Sequence, residues 1–171
     1  MAVPIIDPPR FRPAGSLELF AEDVVLLREF RCYRGPGSWF EREAKKVLRT
    51  ATAQFRAGLL QEKDRIILVE REGDLQAVSV LVGESSKLGH LAFVGIEAEL
   101  HGARIDSVTG DRLSDAVVES SLEYAMDLGF ERLTAQVARA HEKSLALLDR
   151  AGFRLVSRFD RDYDLFAIDT R

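Results

Sequence analysis

The hydrophobic period of this chain changes at Arg65, and that change restricts the fold more than any other feature of the sequence. Before it, Phe40, Ala44, Val47, Leu48 and Ala51 recur at the three-to-four spacing of one helix face. After it, Ile66 to Val69 and Leu75 to Val82 are short β-branched runs separated by Glu72-Gly73-Asp74, a tight-turn composition that predicts an antiparallel hairpin. A third strand is expected over Leu91 to Glu99, followed by a polar, glycine-containing segment. Leu113, Ala116, Val117, Leu122, Ala125 and Leu128 then mark a helix that closes at Gly129. The remainder reads as a strand from Leu133 to Val137, a helix from Glu142 to Asp149 ending at Gly152, and strands Phe153 to Phe159 and Tyr163 to Ile168 around a charged turn. This order predicts an α/β (α+β) domain, with a mixed, mostly antiparallel central sheet and helices on both faces.

The first third is less regular. Ser38 and Glu41 form the S-x-x-E capping box after the Arg34-Gly35-Pro36-Gly37 turn, so a helix is expected from there to about Gln61, with a break near Gly58. Val24 to Phe30 is expected as a first strand, with Val24 and Leu26 on one face and Val25 and Leu27 on the other, although the double apolar row fits a turn of buried helix almost as well. Four of the five prolines lie at positions 4, 8, 9 and 13, where each fixes φ and removes a donor. An extended arm over residues 1–15 is expected there, with a single domain over 16–171.

A chain of 171 residues with 24 basic and 28 acidic side chains carries a formal charge of −4. That balance disfavours the concentrated basic surface that nucleic-acid binding requires. Cys32 is the only cysteine, which excludes an internal disulfide and a thiolate-rich zinc site, and the three histidines lack ligand spacing, so no metal is expected. With no apolar run near the ~20 residues of a membrane span and no leader-like start, the expectation is a cytoplasmic protein.

Gly129-Phe130 and Gly152-Phe153, each closing a helix before a strand, give the second half a specific pattern. It resembles the GNAT N-acetyltransferase superfamily over about Arg65 to Ile168. The resemblance implies an acyl-CoA-dependent N-acyltransferase that passes an acetyl group from acetyl-CoA to a primary amine of a small molecule or protein. Its central strands would splay, leaving one strand edge to bond the pantetheine amides; here that strand is Leu91 to Glu99, with Gly95 in its middle permitting a bulge or close approach by a ligand. Backbone N–H groups around Gly95 and Ile96 would serve the thioester oxyanion.

The family's phosphate loop aligns with Thr109, Gly110, Asp111, Arg112, Leu113 and Ser114, and an upstream copy runs from His101 to Asp106. Both registers carry arginine where the family has its central glycine. A cation in the first helical turn opposes the helix dipole unless an anion sits beside it, and either a bound phosphate or Asp111 with Asp115 meets that need. For the base, Glu97 and Glu99 are two apart and would share a strand face, one raising the pKa of the other. The usual tyrosine acid is replaced by Leu148, leaving His141 or Tyr124 as substitute, an unassisted thiolate, or no turnover. The alternative function is therefore a catalytically silent GNAT-fold module that binds CoA or a protein. Exposed strands and the arm leave room for a homodimer.

Overall fold

Arg65 does open the sheet. The computed structural model describes residues 2–16 and 18–171. Among the described residues nine strands run as β1 (Ile5–Ile6), β2 (Arg10–Pro13), β3 (Arg65–Arg71), β4 (Asp74–Gly83), β5 (Leu88–Ile96), β6 (Arg104–Ile105), β7 (Arg132–Ala138), β8 (Arg154–Arg158) and β9 (Tyr163–Asp169). The helices are α1 (Phe20–Glu29), α2 (Trp39–Arg56), α3 (Leu113–Asp127) and α4 (Glu142–Ala151). Seven strands form one sheet in the order β2-β3-β4-β5-β7-β9-β8, in which only β5 and β7 are parallel.

Local chemistry sets these elements. Glu72 (φ 53°) and Gly73 (φ 85°) join β3 to β4 through two left-handed residues, the backbone whose twist matches antiparallel strands. Ser38 accepts from the Glu41 N–H while the Glu41 carboxylate accepts from Ser38, so the capping box is complete and α2 starts as expected. The helix stops at Arg56, ahead of Gly58 (φ 69°) rather than at Gln61. Both Gly-Phe pairs are helix stops of one design. After α3, Phe130 N–H bonds Ala125 O and Gly129 N–H bonds Met126 O; after α4, Phe153 bonds Leu148 O and Gly152 bonds Asp149 O. Glycine supplies the positive φ, and each phenylalanine drops into the core.

Strand alternation then sorts the core onto two faces. Ile66, Leu68, Val78 and Val80 meet Leu27, Phe30, Leu48 and Phe55 of the α1–α2 layer, while Ile67, Leu81 and Leu133 meet Val118, Ala125 and Leu148 of the α3–α4 layer. The α/β expectation, a mixed sheet with helices on both faces, holds. Val24 to Phe30 resolves in favour of helix, within α1 and its C-cap.

The N-terminal stretch is extended, and it is built into the body. β1 pairs with β6 and β2 forms the sheet edge against β3. Arg12 clamps it there, bonding Asp23 of α1 at 2.6 and 3.1 Å and Glu70 of β3 at 2.8 and 3.1 Å. A domain boundary at residue 16 therefore cuts through the main sheet. The opposite edge, β8, is exposed along its length, with Leu155 and Val156 open to solvent. Among the described residues no helix is long and apolar enough to cross a membrane.

Candidate active site

A bulge in the middle of β5 creates the site. Phe93 pairs with Val80 and Leu91 with Leu81, so Ala92 is an extra residue that bends the strand. β5 and β7 consequently pair only at Leu88–Arg132, Gly89–Leu133 and His90–Thr134. At that vertex His90 Nδ1 lies 2.8 Å from Thr134 Oγ1. Beyond it both strands continue unpaired on their facing edges, and two adjoining cavities of about 470 Å³ each occupy the gap. Both are bounded by Ala44, Phe93, Val94, His141, Ser144 and Leu147, which makes them one cleft.

His141 stands where the two cavities meet. It caps α4, its Nδ1 is 2.7 Å from Ser144 Oγ, and its ring stacks on Phe40 at 4.2 Å. Burial holds the imidazole below its ordinary pKa, against the opposing pull of the Glu41 carboxylate. Glu41 is itself held ionised by the Ser38 N–H it accepts, which outweighs its desolvation, so the helix cap also places an anion beside this histidine. Across the cleft Tyr163 packs on Trp39 with ring centroids 5.7 Å apart, and burial keeps its phenol protonated above the ordinary range. Cys32 reaches the same cleft with its thiol pushed up by burial.

One end of the cleft is basic. Arg112, Lys143 and Arg150 line it with Gly102, His101 and Ser114. Arg112 is the N-cap residue of α3 and makes no capping bond through its side chain. Leu113 N–H is taken by Ala103 O and Ala116 N–H by Arg112 O, so among the first amides of α3 Ser114 and Asp115 remain for an anion. Asp115 pairs with Arg150 at 2.9 Å, tying α3 to α4 at this mouth.

Several sequence expectations change on this geometry. β5 ends at Ile96; Glu97 caps a short 3₁₀ helix (Ala98–Leu100) and Glu99 lies within it, so the two do not share a strand face. Glu97 accepts the Glu99 N–H at 2.8 Å, and exposed Glu99 pairs with Arg34. Neither lines the cleft. Gly95 does line it, but the bulge is at Ala92, and a Cβ at Gly95 would sit 2.5 Å from the Phe93 ring. The glycine is there for packing. Glu97 N–H bonds Gln76 O of β4 at 2.8 Å, so by strand alternation the Gly95 N–H also faces β4, while those of Val94 and Ile96 face the gap. Ile96 stays a candidate oxyanion donor and Gly95 does not.

Of the phosphate-loop residues, Arg112 and Ser114 reach the cleft together with His101 and Gly102 of the upstream copy. The two registers converge because β6 bridges back on the loop through Arg104 and Arg112. Thr109, Gly110 and Asp111 form a separate turn, closed by a 2.7 Å bond from Thr109 Oγ1 to Asp111, and Leu113 is core. Tyr124 packs against the α3–α4 core rather than in the cleft, which removes it as the acid. Tyr163, Glu41 and Lys143 were not singled out by the sequence; the first is distant in the chain and the second was accounted for as a cap.

A sheet opened by a central bulge leaves an unpaired strand edge, and the helix N-terminus and basic side chains at one end of the gap suit an anion. Solved structures share the fold. The chain superposes over 95% of its length on all of an N-acetyltransferase from Campylobacter jejuni, PseH, in complex with acetyl coenzyme A (TM-score 0.65, 15% identity). It matches an acetyltransferase from Streptococcus agalactiae at TM-score 0.68 and 13% identity, covering 96% of this chain and 99% of that one. A GNAT family acetyltransferase from Elizabethkingia anophelis with acetyl-CoA bound gives TM-score 0.58 at 11% identity, over 96% and 99% of the two chains. No family model matches the sequence, and no curated protein does. The chain thus has the GNAT acetyltransferase fold, in a sequence that has diverged widely from these structures.

Proposed function

We propose that this protein is an acyl-CoA-dependent N-acyltransferase that passes an acetyl group from acetyl-CoA directly to a primary amine. The observation that carries this reading is His141, a half-buried imidazole kept neutral at the meeting point of a cleft whose other end is basic. The residues fit the co-substrate. Arg112, Lys143, Arg150 and the Ser114 and Asp115 amides suit the pyrophosphate, and the unpaired edge of β5 suits the pantetheine amides. When bound, acetyl-CoA supplies the activated acyl group.

The chain's own groups supply the rest. His141 takes the proton that the attacking amine must shed, and Ile96 N–H faces the position of the developing oxyanion. Tyr163, protonated and in the same cleft, replaces the acid lost at Leu148. The transfer is read as direct, and burial pushes the Cys32 thiol away from the thiolate that an S-acyl enzyme would need.

The test is calorimetric titration with acetyl-CoA followed by an amine panel read as free thiol. Binding in the range of about 1 to 100 μM is expected, weakened about tenfold or more by Arg112→Glu. Binding without thiol release from any amine would favour the silent module, and no binding up to about millimolar would remove the acyltransferase reading.

A further inference from the structure

A larger cavity, of about 630 Å³, lies on the other side of α2 from the acyl-donor cleft. Phe40, Ala44 and Val47 of α2 face the cleft; Lys45, Leu48, Arg49, Thr52 and Arg56 of the same helix line this second space. The opposite wall is Val24, Leu27 and Arg28 of α1, and the loop after α1 adds Arg31, Cys32 and Tyr33. The spacing of Lys45, Arg49 and Arg56 brings three cations to one face of α2, and Arg28 and Arg31 face them. No aspartate or glutamate lines the cavity.

Five cations around one concavity repel one another unless an anion offsets them. Elsewhere Arg12 is offset by Asp23 and Glu70, Arg139 by Asp164 and Arg150 by Asp115. Among the described residues Arg28, Arg31, Lys45, Arg49 and Arg56 have no carboxylate partner. Arg31 bonds only the carbonyls of Arg28 and Phe30, and buried Lys45 bonds the Phe30 carbonyl while its Nζ lies 5.1 Å from the Phe30 ring. Burial pushes Lys45 below its ordinary pKa, with Cys32 acting against that shift and the Arg31 and Arg49 charges acting with it.

We propose that the α1–α2 cavity is a second binding site, for a small molecule carrying several phosphate charges. The volume suits a ligand of nucleotide size, guanidinium forks match phosphate oxygens, and Tyr33 offers an aromatic wall. A concave site enclosed by two helices suits a small ligand better than the extended backbone of a nucleic acid. The site is separate from the acyl-donor mouth formed by Arg112, Lys143 and Arg150, and the proposal stands whether or not the cleft turns over.

Tripolyphosphate is the first probe, in calorimetric titrations of the full chain at low salt, with ATP as the second. With the α3 mouth saturated by CoA both should still bind, at one site, and the affinity should fall steeply with added salt. Arg49→Glu with Arg56→Glu should weaken binding at least about tenfold, and Arg112→Glu should change it by less than about twofold. Arg49→Gln with Arg56→Gln removes the charge without reversing it and should weaken binding in the same direction, at an unchanged melting temperature. Three results would overturn the proposal: no heat up to about millimolar tripolyphosphate; loss of binding in the Arg112 variant alone, which places the anion at the acyl-donor mouth; or a single-stranded RNA oligomer binding more tightly than either probe through Arg49 and Arg56.

Discussion

Replacing His141 by glutamine separates the chemical role proposed for it from its structural one, because the two have different sizes. The native ring stacks on Phe40 at 4.2 Å and bonds Ser144 Oγ at 2.7 Å. An aromatic contact contributes about 0.5 to 1.5 kcal/mol and a hydrogen bond about 1 kcal/mol, so losing both costs about 2 kcal/mol. For a chain of this length each kcal/mol lowers Tm by about 2 to 4 °C, and the variant should melt about 4 to 8 °C lower, still folded at assay temperature. A general base contributes about 10²- to 10⁴-fold, or about 3 to 5 kcal/mol of transition-state stabilisation. The fall in kcat/KM should therefore exceed anything the stability loss explains. The pH profile gives the second reading. With His141 below its ordinary pKa, native kcat/KM should rise through the acid range with its midpoint below about pH 6.5, and the glutamine variant should lose that limb. Thiol release with an amine acceptor measures both. A variant within about threefold of native, or one that keeps the acid limb, would refute the assignment of His141 as base.

Three further outcomes follow from the structure. Burial lowers the pKa of both His90 and His141, so the unfolded chain binds more protons than the folded one; stability should fall as pH drops through about 6.5 and level off below the folded values, and His90→Gln should shrink that slope in Tm against pH. Arg12→Met should leave the fully buried Asp23 carboxylate without its cation, at about 3 to 5 kcal/mol, seen as a fall in Tm of about 6 to 20 °C; a change under about 3 °C would show that the clamp contributes little. Gly95→Ala should destabilise by about 1 to 3 kcal/mol in denaturant titrations because its Cβ strikes Phe93, and Phe93→Leu in the same chain should recover part of that loss.

The elements that the sequence made legible are those whose signal is local. The capping box at Ser38, the left-handed pair at Glu72-Gly73 and the glycine stops at Gly129 and Gly152 each carry their conformation in two to four adjacent residues. What escaped was set by partners far along the chain. The arm is a strand because β3 offers it an edge and Glu70 with Asp23 holds Arg12, 58 and 11 residues away. Gly95 is a glycine because Phe93 and Phe30 fill the space above it. Glu97 and Glu99 leave the strand because β5 turns into the segment that carries β6, and β6 is held by the N-terminal β1.

Charge was the least legible property, and the reason is general. A net value of −4 describes the field far from the molecule, where screening beyond about 10 Å at 0.1 M salt erases most of it anyway. A ligand inside a cavity responds to the groups within that distance. Helical periodicity gathers Lys45, Arg49 and Arg56 on one side of α2, with Arg28 and Arg31 on the facing wall. An acidic total therefore excludes a broad basic surface but says nothing against a basic pocket, and in this protein the two places where phosphate is expected, the α3 mouth and the α1–α2 cavity, are both built from such local groupings.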